Sequence, residues 1–190
     1  TNIRQGPWSW NGIIRAGYNR TILDKYHGRM LTVTNQAMNA GYFVGRDRNI
    51  LTSFRWGGLT AEEGAPKGFE HGEPSTNYRS IIRDTPLDEL VYHGSAVPRT
   101  TASFRNRVSY KNLELAFTLS GQFIYFFRKN SINYASFFSN WTGHPDVSAR
   151  WQHPGDEQHT NVPAMYYPLN TDRETFYSLS EVLVRRGDHI

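Results

Sequence analysis

The stretch RTTASFRNRVSYKNLELAFTLSGQFIYFFR, residues 99–128, alternates apolar and polar side chains along two arms that meet at Lys111 and Asn112. On the first arm the apolar side chains occupy even positions, and they are Ala102, Phe104, Val108 and Tyr110. On the second arm they occupy odd positions, and they are Leu113, Leu115, Phe117, Leu119, Phe123, Tyr125 and Phe127. A period of two is that of a β-strand with one apolar and one polar face. The stretch therefore predicts a long hairpin with strands at about 99–110 and 113–127.

Strands of this kind occur in transmembrane β-barrels and in soluble β-sandwiches, because both have one apolar and one hydrated face. The second arm would extend over roughly 50 Å at about 3.3 Å per residue, which is long for a soluble strand of about 5–6 residues. One end of the hairpin closes at a tight turn and the other opens into a long irregular stretch, as in barrels with short periplasmic turns and long outer loops. The residues alone leave a membrane barrel and a soluble sandwich or jelly roll both open.

Composition narrows the classes of protein without choosing between these two. The mean hydropathy is −0.62, and no apolar stretch approaches the ~20 residues of a transmembrane helix, so any membrane crossing must be made by strands. The 190 residues include no cysteine, which excludes disulfides and thiolate metal sites. The net charge of +4 comes from scattered basic residues, whereas nucleic-acid binding favours a basic stripe. We expect no nucleic-acid partner, no metal and no cofactor.

The rest of the chain predicts two more strands and two long connections. A second alternating run covers about 8–19, and an apolar run at 176–184 predicts a late strand. Between the strands, about 23–98 and 129–175 are irregular and rich in turn residues, apart from a short helix predicted to start at Thr85 and Pro86. The chain starts without a signal peptide and stops without a terminating element, so we interpret residues 1–190 as an interior piece of one larger domain.

Several segments, in the same order along the chain, resemble the C-terminal barrel region of SusC and RagA-like TonB-dependent outer-membrane transporters. The segments are GGL at 57–59, EGAP at 63–66, GSAVP at 94–98, SYKN at 109–112, RWQHPGDE at 150–157, NVP at 161–163 and SEVLVRRGD at 180–188. The resemblance covers nearly the whole chain. It implies part of a 22-stranded transmembrane barrel with long extracellular loops at 23–98 and 129–175.

The resemblance also implies a function and partners. It implies a part of an active importer in the bacterial outer membrane, where an oligosaccharide or oligopeptide is captured between the barrel mouth and a SusD-like surface lipoprotein. Outer-membrane lipid would surround the wall, and the TonB complex would pull on a plug. The plug domain, the TonB-contacting segment and the final strands are absent from this sequence, so energy coupling is carried over by implication only.

Four aromatic residues of the second long connection are candidates for contact with the solute. They are Trp141, Trp151, Tyr166 and Tyr167. A rigid apolar ring with a polar edge can stack on a sugar or pack against a peptide side chain. A loop of this length also needs a small core of its own, which aromatic residues commonly fill, and both interpretations stay open.

Arg105 and Arg107 are the remaining candidates, because positions i and i+2 of a strand share a face. On the barrel interpretation this face lines the lumen, where the two arginines could attract acidic groups of a solute. The alternative is an ion-pair ladder with acidic residues of neighbouring strands or of the plug.

We expect no enzymatic activity. His153, Asp156 and His159 have a spacing that suits a metal site on a helix, but Pro154 and Gly155 oppose a helix there. Neighbouring acids such as Glu62 with Glu63, or Asp88 with Glu89, rarely span the separation that a glycosidase needs. Two rival functions remain, a soluble β-sandwich that binds carbohydrate and a surface hydrolase that depends on Asp156 or Glu157.

Overall fold

The structure is a computed structural model that describes residues 2–28, 31 and 33–190. Residues 1, 29, 30 and 32 lie outside the described part. The structure of the connection expected over 23–98 is therefore described without residues 29, 30 and 32. In chain order the strands are β1 (Asn2–Gln5), β2 (Trp8–Tyr18), β3 (Ile50–Ser53), β4 (Gly68–Glu70), β5 (Glu73–Ser75), β6 (Val91–Ser95), β7 (Thr100–Tyr110), β8 (Leu113–Phe123), β9 (Phe126–Arg128) and β10 (Val184–Arg186). The helices are α1 (Thr34–Ala40), α2 (Tyr78–Asp84), α3 (Tyr134–Asn140) and α4 (Thr171–Leu179).

The predicted hairpin forms half of a four-stranded antiparallel sheet with the order β1-β2-β7-β8. Strands β2, β7 and β8 each have 11 residues and pair along their whole length. The tight turn between β7 and β8 places Lys111 in the left-handed region with φ 52°. The strands expected at 8–19 and 99–110 are therefore β2 and β7, each within a residue of the expected bounds.

The sheet has an apolar face and a polar face, and both are open to the surroundings. On the apolar face Ile14 and Leu113 expose 76% and 75% of their surface, and Leu115 exposes 63%. Within the described residues no second sheet packs against this face, as it would in a sandwich. The outer edges of β1 and β8 are also mostly unpaired, so the sheet is open and is not a closed barrel.

The strand expected over 113–127 is wrong beyond Phe123. Ile124 takes a left-handed conformation with φ 61°, which turns the chain out of the sheet. The next strand, β9, pairs with β10 instead of β7. The alternation of the sequence continues through Tyr125 and Phe127, but the hydrogen-bonding partner changes, and side-chain period alone does not reveal this.

The strand expected at 176–184 is also wrong, because most of this run belongs to α4 and to a single 3-10 turn before β10. Asn170 caps α4, since its side chain accepts a hydrogen bond from the main-chain N–H of Arg173. Asp172 and Glu174 lie in the first turn, where acidic residues favour a helix. Phe176 and Leu179, three residues apart, face the core together.

The two connections expected to be irregular fold together into a lobe with a core of its own. Phe176, the first residue of the expected late strand and directly after the second connection, is fully buried against three rings of the first connection. Its ring centroid lies 6.0 Å from that of Phe54, 6.3 Å from that of Trp56 and 5.7 Å from that of Tyr78. The chain is mostly β, and this lobe adds α1 to α4 to the all-β fold that we expected. None of the helices in the described residues has the length and apolar character needed to cross a membrane.

One ion pair next to the sheet joins the lobe to it. Arg99, directly before β7, donates two hydrogen bonds to the buried carboxylate of Asp47, at 3.1 and 2.8 Å.

The helix expected to start at Thr85 and Pro86 is only a 3-10 turn, Leu87–Glu89. The Thr85 hydroxyl donates instead to the carbonyl of Ile81 at the end of α2.

Candidate functional site

Trp151 is a core residue of the lobe, so it does not offer its ring to a solute. It is 8% exposed and packs in a small cluster with Leu59 and Ala164. Its Nε1 donates to the Glu157 carboxylate at 3.3 Å. Gly64 lies beneath the ring with φ +59°, and a Cβ there would come within 2.3 Å of the ring.

The polar residues around Trp151 form a turn that holds the indole. Asp156 accepts hydrogen bonds from the main-chain N–H groups of Gln152 and His153, both at 2.9 Å. These two bonds hold the pKa of Asp156 below its usual range. The described residues contain no group of His, Asp and Glu that could hold a metal ion. The hydrogen bonds of Asp156 and Glu157 hold the segment 150–157 and the Trp151 indole in place.

Trp141 and Tyr167 lie at the two ends of an exposed row of rings. We call Trp141, Phe137, Phe138 and Tyr167 the aromatic row. Successive ring centroids are 6.5, 5.9 and 5.8 Å apart, and the two end residues are 85% and 82% exposed. The structure thus brings two of the expected solute-binding residues onto one surface.

Tyr166 lines a cavity of about 380 Å³ on the lobe. Its wall also includes Thr60, Glu62, Glu63, Tyr78 and Arg173. Glu62 and Glu63 are exposed, whereas Tyr78 is buried and its hydroxyl donates to the Pro66 carbonyl at 2.8 Å. Burial raises the pKa of Tyr78 to about 12, although the nearby Arg173 opposes this shift. Tyr78 is therefore a neutral hydrogen-bonding group at neutral pH.

Arg173 is the buried cation of this cavity, and only 5% of it is exposed. One terminal nitrogen, Nη2, donates to the carbonyl of Ala164 at 2.9 Å and lies 3.4 Å from that of Gly64. The guanidinium carbon lies 5.3 Å from the centre of the Tyr166 ring. The Nε atom has no hydrogen-bond partner, and no carboxylate oxygen of the described residues lies within 4.0 Å. Glu62 and Glu63 line the same cavity but form no ion pair with Arg173, so the guanidinium has no direct carboxylate partner among the described residues.

Arg173 was not among the expected site residues, although the sequence around it carries a usable signal. Phe176 and Tyr177 follow it at i+3 and i+4, so the three residues share one face of a helix. Both aromatic residues are buried, and the arginine is buried with them. Once 171–179 is recognised as a helix, the sequence therefore indicates a charge on its buried face.

Arg105 and Arg107 share the polar face of the sheet, as their spacing predicts, together with Arg15 and Arg4 of the neighbouring strands. Arg107 Nε forms an ion pair with Glu114 at 3.3 Å. In the described part of the chain Arg105 has no ion pair. The alternative of ion pairs with acidic residues of neighbouring strands therefore holds for Arg107 and not for Arg105. The polar face carries more positive than negative charge.

A buried serine and a half-buried histidine also lie in contact, which their positions in the sequence do not predict. Ser53 Oγ lies 2.6 Å from His93 Nε2, at the contact of β3 with β6. Burial lowers the pKa of His93, and Ser53 has no exposed surface. A substrate cannot reach that hydroxyl in this conformation, so the contact joins two strands.

Comparison with known proteins finds a similarity of structure and no match of sequence. No protein-family model and no curated protein matches the chain. The fold is similar to that of a chain in a solved structure of the RagAB peptide transporter, with a TM-score of 0.61 and 16% sequence identity. The match covers 98% of this chain and 20% of that chain, so this chain spans about a fifth of its neighbour's length. At this identity the likeness shows a similarity of fold alone.

Proposed function

We propose that this chain is part of an outer-membrane, TonB-dependent importer of large nutrients, either oligopeptides or oligosaccharides. In this proposal the four-stranded sheet is a section of the barrel wall, and the lobe shapes the outer mouth. The observation that carries the proposal is the uncovered apolar face of the sheet. Transport of this kind changes no covalent bond of the solute, so the proposal assigns no catalytic residue.

The apolar face suits contact with lipid along its whole length. Eleven residues at about 3.3 Å each give strands of roughly 36 Å, and a tilt of about 40° reduces their height to about 28 Å. This height is close to the ~25 Å apolar band of outer-membrane barrels. A long, uncovered apolar face is rare on a soluble monomer. In a bilayer the hydrocarbon chains of the lipid would cover it, so its side chains would not be exposed to water.

The ends of the sheet support the same placement. Trp8 and Tyr110 pack together at the tight-turn end, with ring centroids 4.2 Å apart, where an aromatic girdle lies in membrane barrels. The lobe lies at the opposite end, where Arg99 and Asp47 join it to β7. A short turn on one side and a large folded lobe on the other match the periplasmic and outer sides of a barrel.

The lobe supplies the surfaces for solute and partner in this proposal. The aromatic row and the cavity at Tyr166 are the candidate contacts for the solute, and Arg105 and Arg107 would line the lumen below them. The similarity to a peptide transporter supports a role in nutrient uptake. A SusD-like lipoprotein would cover the mouth, and the TonB complex would act through a plug outside this sequence.

Adjacent residues on opposite faces of β8 test the wall directly. Leu119 lies on the apolar face near the middle of the strand, and Ser120 lies on the polar face. In the full-length protein in phospholipid vesicles, we expect Leu119→Arg to lower the free energy of unfolding by about 2–4 kcal/mol. Ser120→Arg, the matched control, should change it by no more than about 1 kcal/mol. Equal effects of the two substitutions, or extraction of the protein without detergent, would refute the proposal.

A further inference from the structure

The cavity at Tyr166 has the chemistry of a site for an anion. A buried guanidinium normally has a carboxylate partner, because an unpaired charge in the interior is costly. The partners of Arg173 are the main-chain carbonyls of Gly64 and Ala164 and the neighbouring Tyr78 hydroxyl, none of which carries a full charge, and its buried Nε has no partner. A cavity of about 380 Å³ opens beside it, and this volume admits a small acidic group.

A carboxylate fits this environment better than a neutral ligand. A guanidinium binds planar carboxylates through charge-assisted hydrogen bonds, which are about twice as strong as neutral ones. The half-buried Thr60 adds a hydroxyl to the wall, whereas the Tyr78 hydroxyl already donates its proton to the Pro66 carbonyl. The half-exposed ring of Tyr166 lies over the guanidinium and leaves one apolar side for the rest of the ligand.

The rim of the cavity limits which anions can enter. Glu62 and Glu63 line it and carry negative charge at neutral pH. They repel a multiply charged anion, whereas a single carboxylate at the end of a longer, otherwise neutral chain passes with less repulsion.

We propose that the Arg173 cavity binds a single carboxylate of the imported solute. This inference rests on the proposed function for the source of the ligand. Two solutes carry such a group, a peptide with a free C-terminal carboxylate and an oligosaccharide that contains one uronic acid. The chemistry at Arg173 is the same for both, and the binding experiment separates them.

The test measures binding to the full-length protein in detergent, so its result does not depend on the lipid-facing wall. The four probes are N-acetyl-trialanine, its C-terminal amide, a trisaccharide with one glucuronic acid, and the neutral trisaccharide, each titrated by calorimetry. We expect one carboxylate probe to bind at least about tenfold more tightly than its neutral counterpart. The probe that binds identifies the source. Equal binding of a carboxylate and its neutral partner, or no binding of either carboxylate, would overturn the proposal.

Variants then locate the bound group. Arg173→Gln should weaken binding of the carboxylate at least about tenfold, whereas Arg79→Gln, which removes an exposed arginine of α2, should leave it unchanged. Unchanged affinity in a folded Arg173→Gln variant would refute the assignment.

A second variant decides the question if Arg173→Gln does not fold. Exchanging both Glu62 and Glu63 for glutamine removes only exposed charges, so the fold should persist. With repulsion at the rim removed, the carboxylate should bind about two- to fivefold more tightly at low salt. An affinity that does not change would place the carboxylate elsewhere.

Discussion

Replacing Phe176 with alanine should destabilise the lobe more than any other single truncation that we consider. The ring has no exposed surface and packs against Phe54, Trp56 and Tyr78, which come from the first long connection. Truncation of a buried phenylalanine typically costs about 3–5 kcal/mol through lost burial and the cavity left behind. We expect the upper part of this range, because the neighbouring rings are rigid and Gly68 beneath the ring has no side chain to fill the space.

The stability of the lobe can be followed separately from that of the sheet by hydrogen exchange of the full-length protein. Amides of α2 and α4 should lose about 4 kcal/mol of protection in Phe176→Ala, and those of β7 should change little. Phe127→Ala, which truncates a ring that is 44% exposed, is the control and should cost about 1 kcal/mol. A loss below about 1 kcal/mol in Phe176→Ala would show that the two connections do not share a core.

Three further substitutions test the lobe. Asp47→Asn leaves the arginine before β7 without its buried partner, and thermal unfolding should show a loss of about 2–4 kcal/mol. Gly64→Ala should destabilise strongly because its Cβ would collide with the Trp151 ring, whereas Gly72→Ala, also at positive φ but in open space, should cost only about 1 kcal/mol by the same measurement. Burial raises the pKa of Glu174, so the stability that this group contributes is present in full below its ordinary value near 4.5 and is lost as the pH rises through the raised value. Glu174→Gln should therefore flatten the fall in melting temperature between acid and neutral pH, and an unchanged slope would contradict this.

The sheet was predictable from sequence because its signal is local. Successive side chains of a strand point to opposite faces, so the alternation from Phe104 to Leu119 identifies both the strands and their faces. The change of parity at Lys111 and Asn112 locates the turn. The end of β8 was not predictable in this way, since Ile124 leaves the sheet through a backbone angle that its residue type does not favour.

The lobe was less predictable because its structure depends on contacts between distant segments. Nothing near Trp151 in sequence distinguishes a ring that binds a solute from one that covers Gly64. The burial of Arg173 depends on the carbonyls of Gly64 and Ala164, which come from two different loops. The sequence left open whether Trp141 and Tyr167 contact a solute or fill a core of the loop, and it did not predict that they would lie in one exposed row.

A hydrogen bond between Trp10 of β2 and Asn106 of β7 makes the pairing of these two strands important for the apolar face. Asn106 is a buried residue within the apolar face. The indole N–H of Trp10 donates to its side-chain oxygen at 3.1 Å, whereas its Nδ2 has no hydrogen-bond partner. The Trp10 ring reaches this position by lying over Gly12, where a Cβ would come within 2.9 Å of it. A β7–β8 hairpin that entered hydrocarbon alone would carry an uncovered amide, at a cost of several kcal/mol. Pairing of β2 with β7 therefore covers the Asn106 amide, and a slip of one residue in this register would turn Trp10 to the opposite face and remove the hydrogen bond.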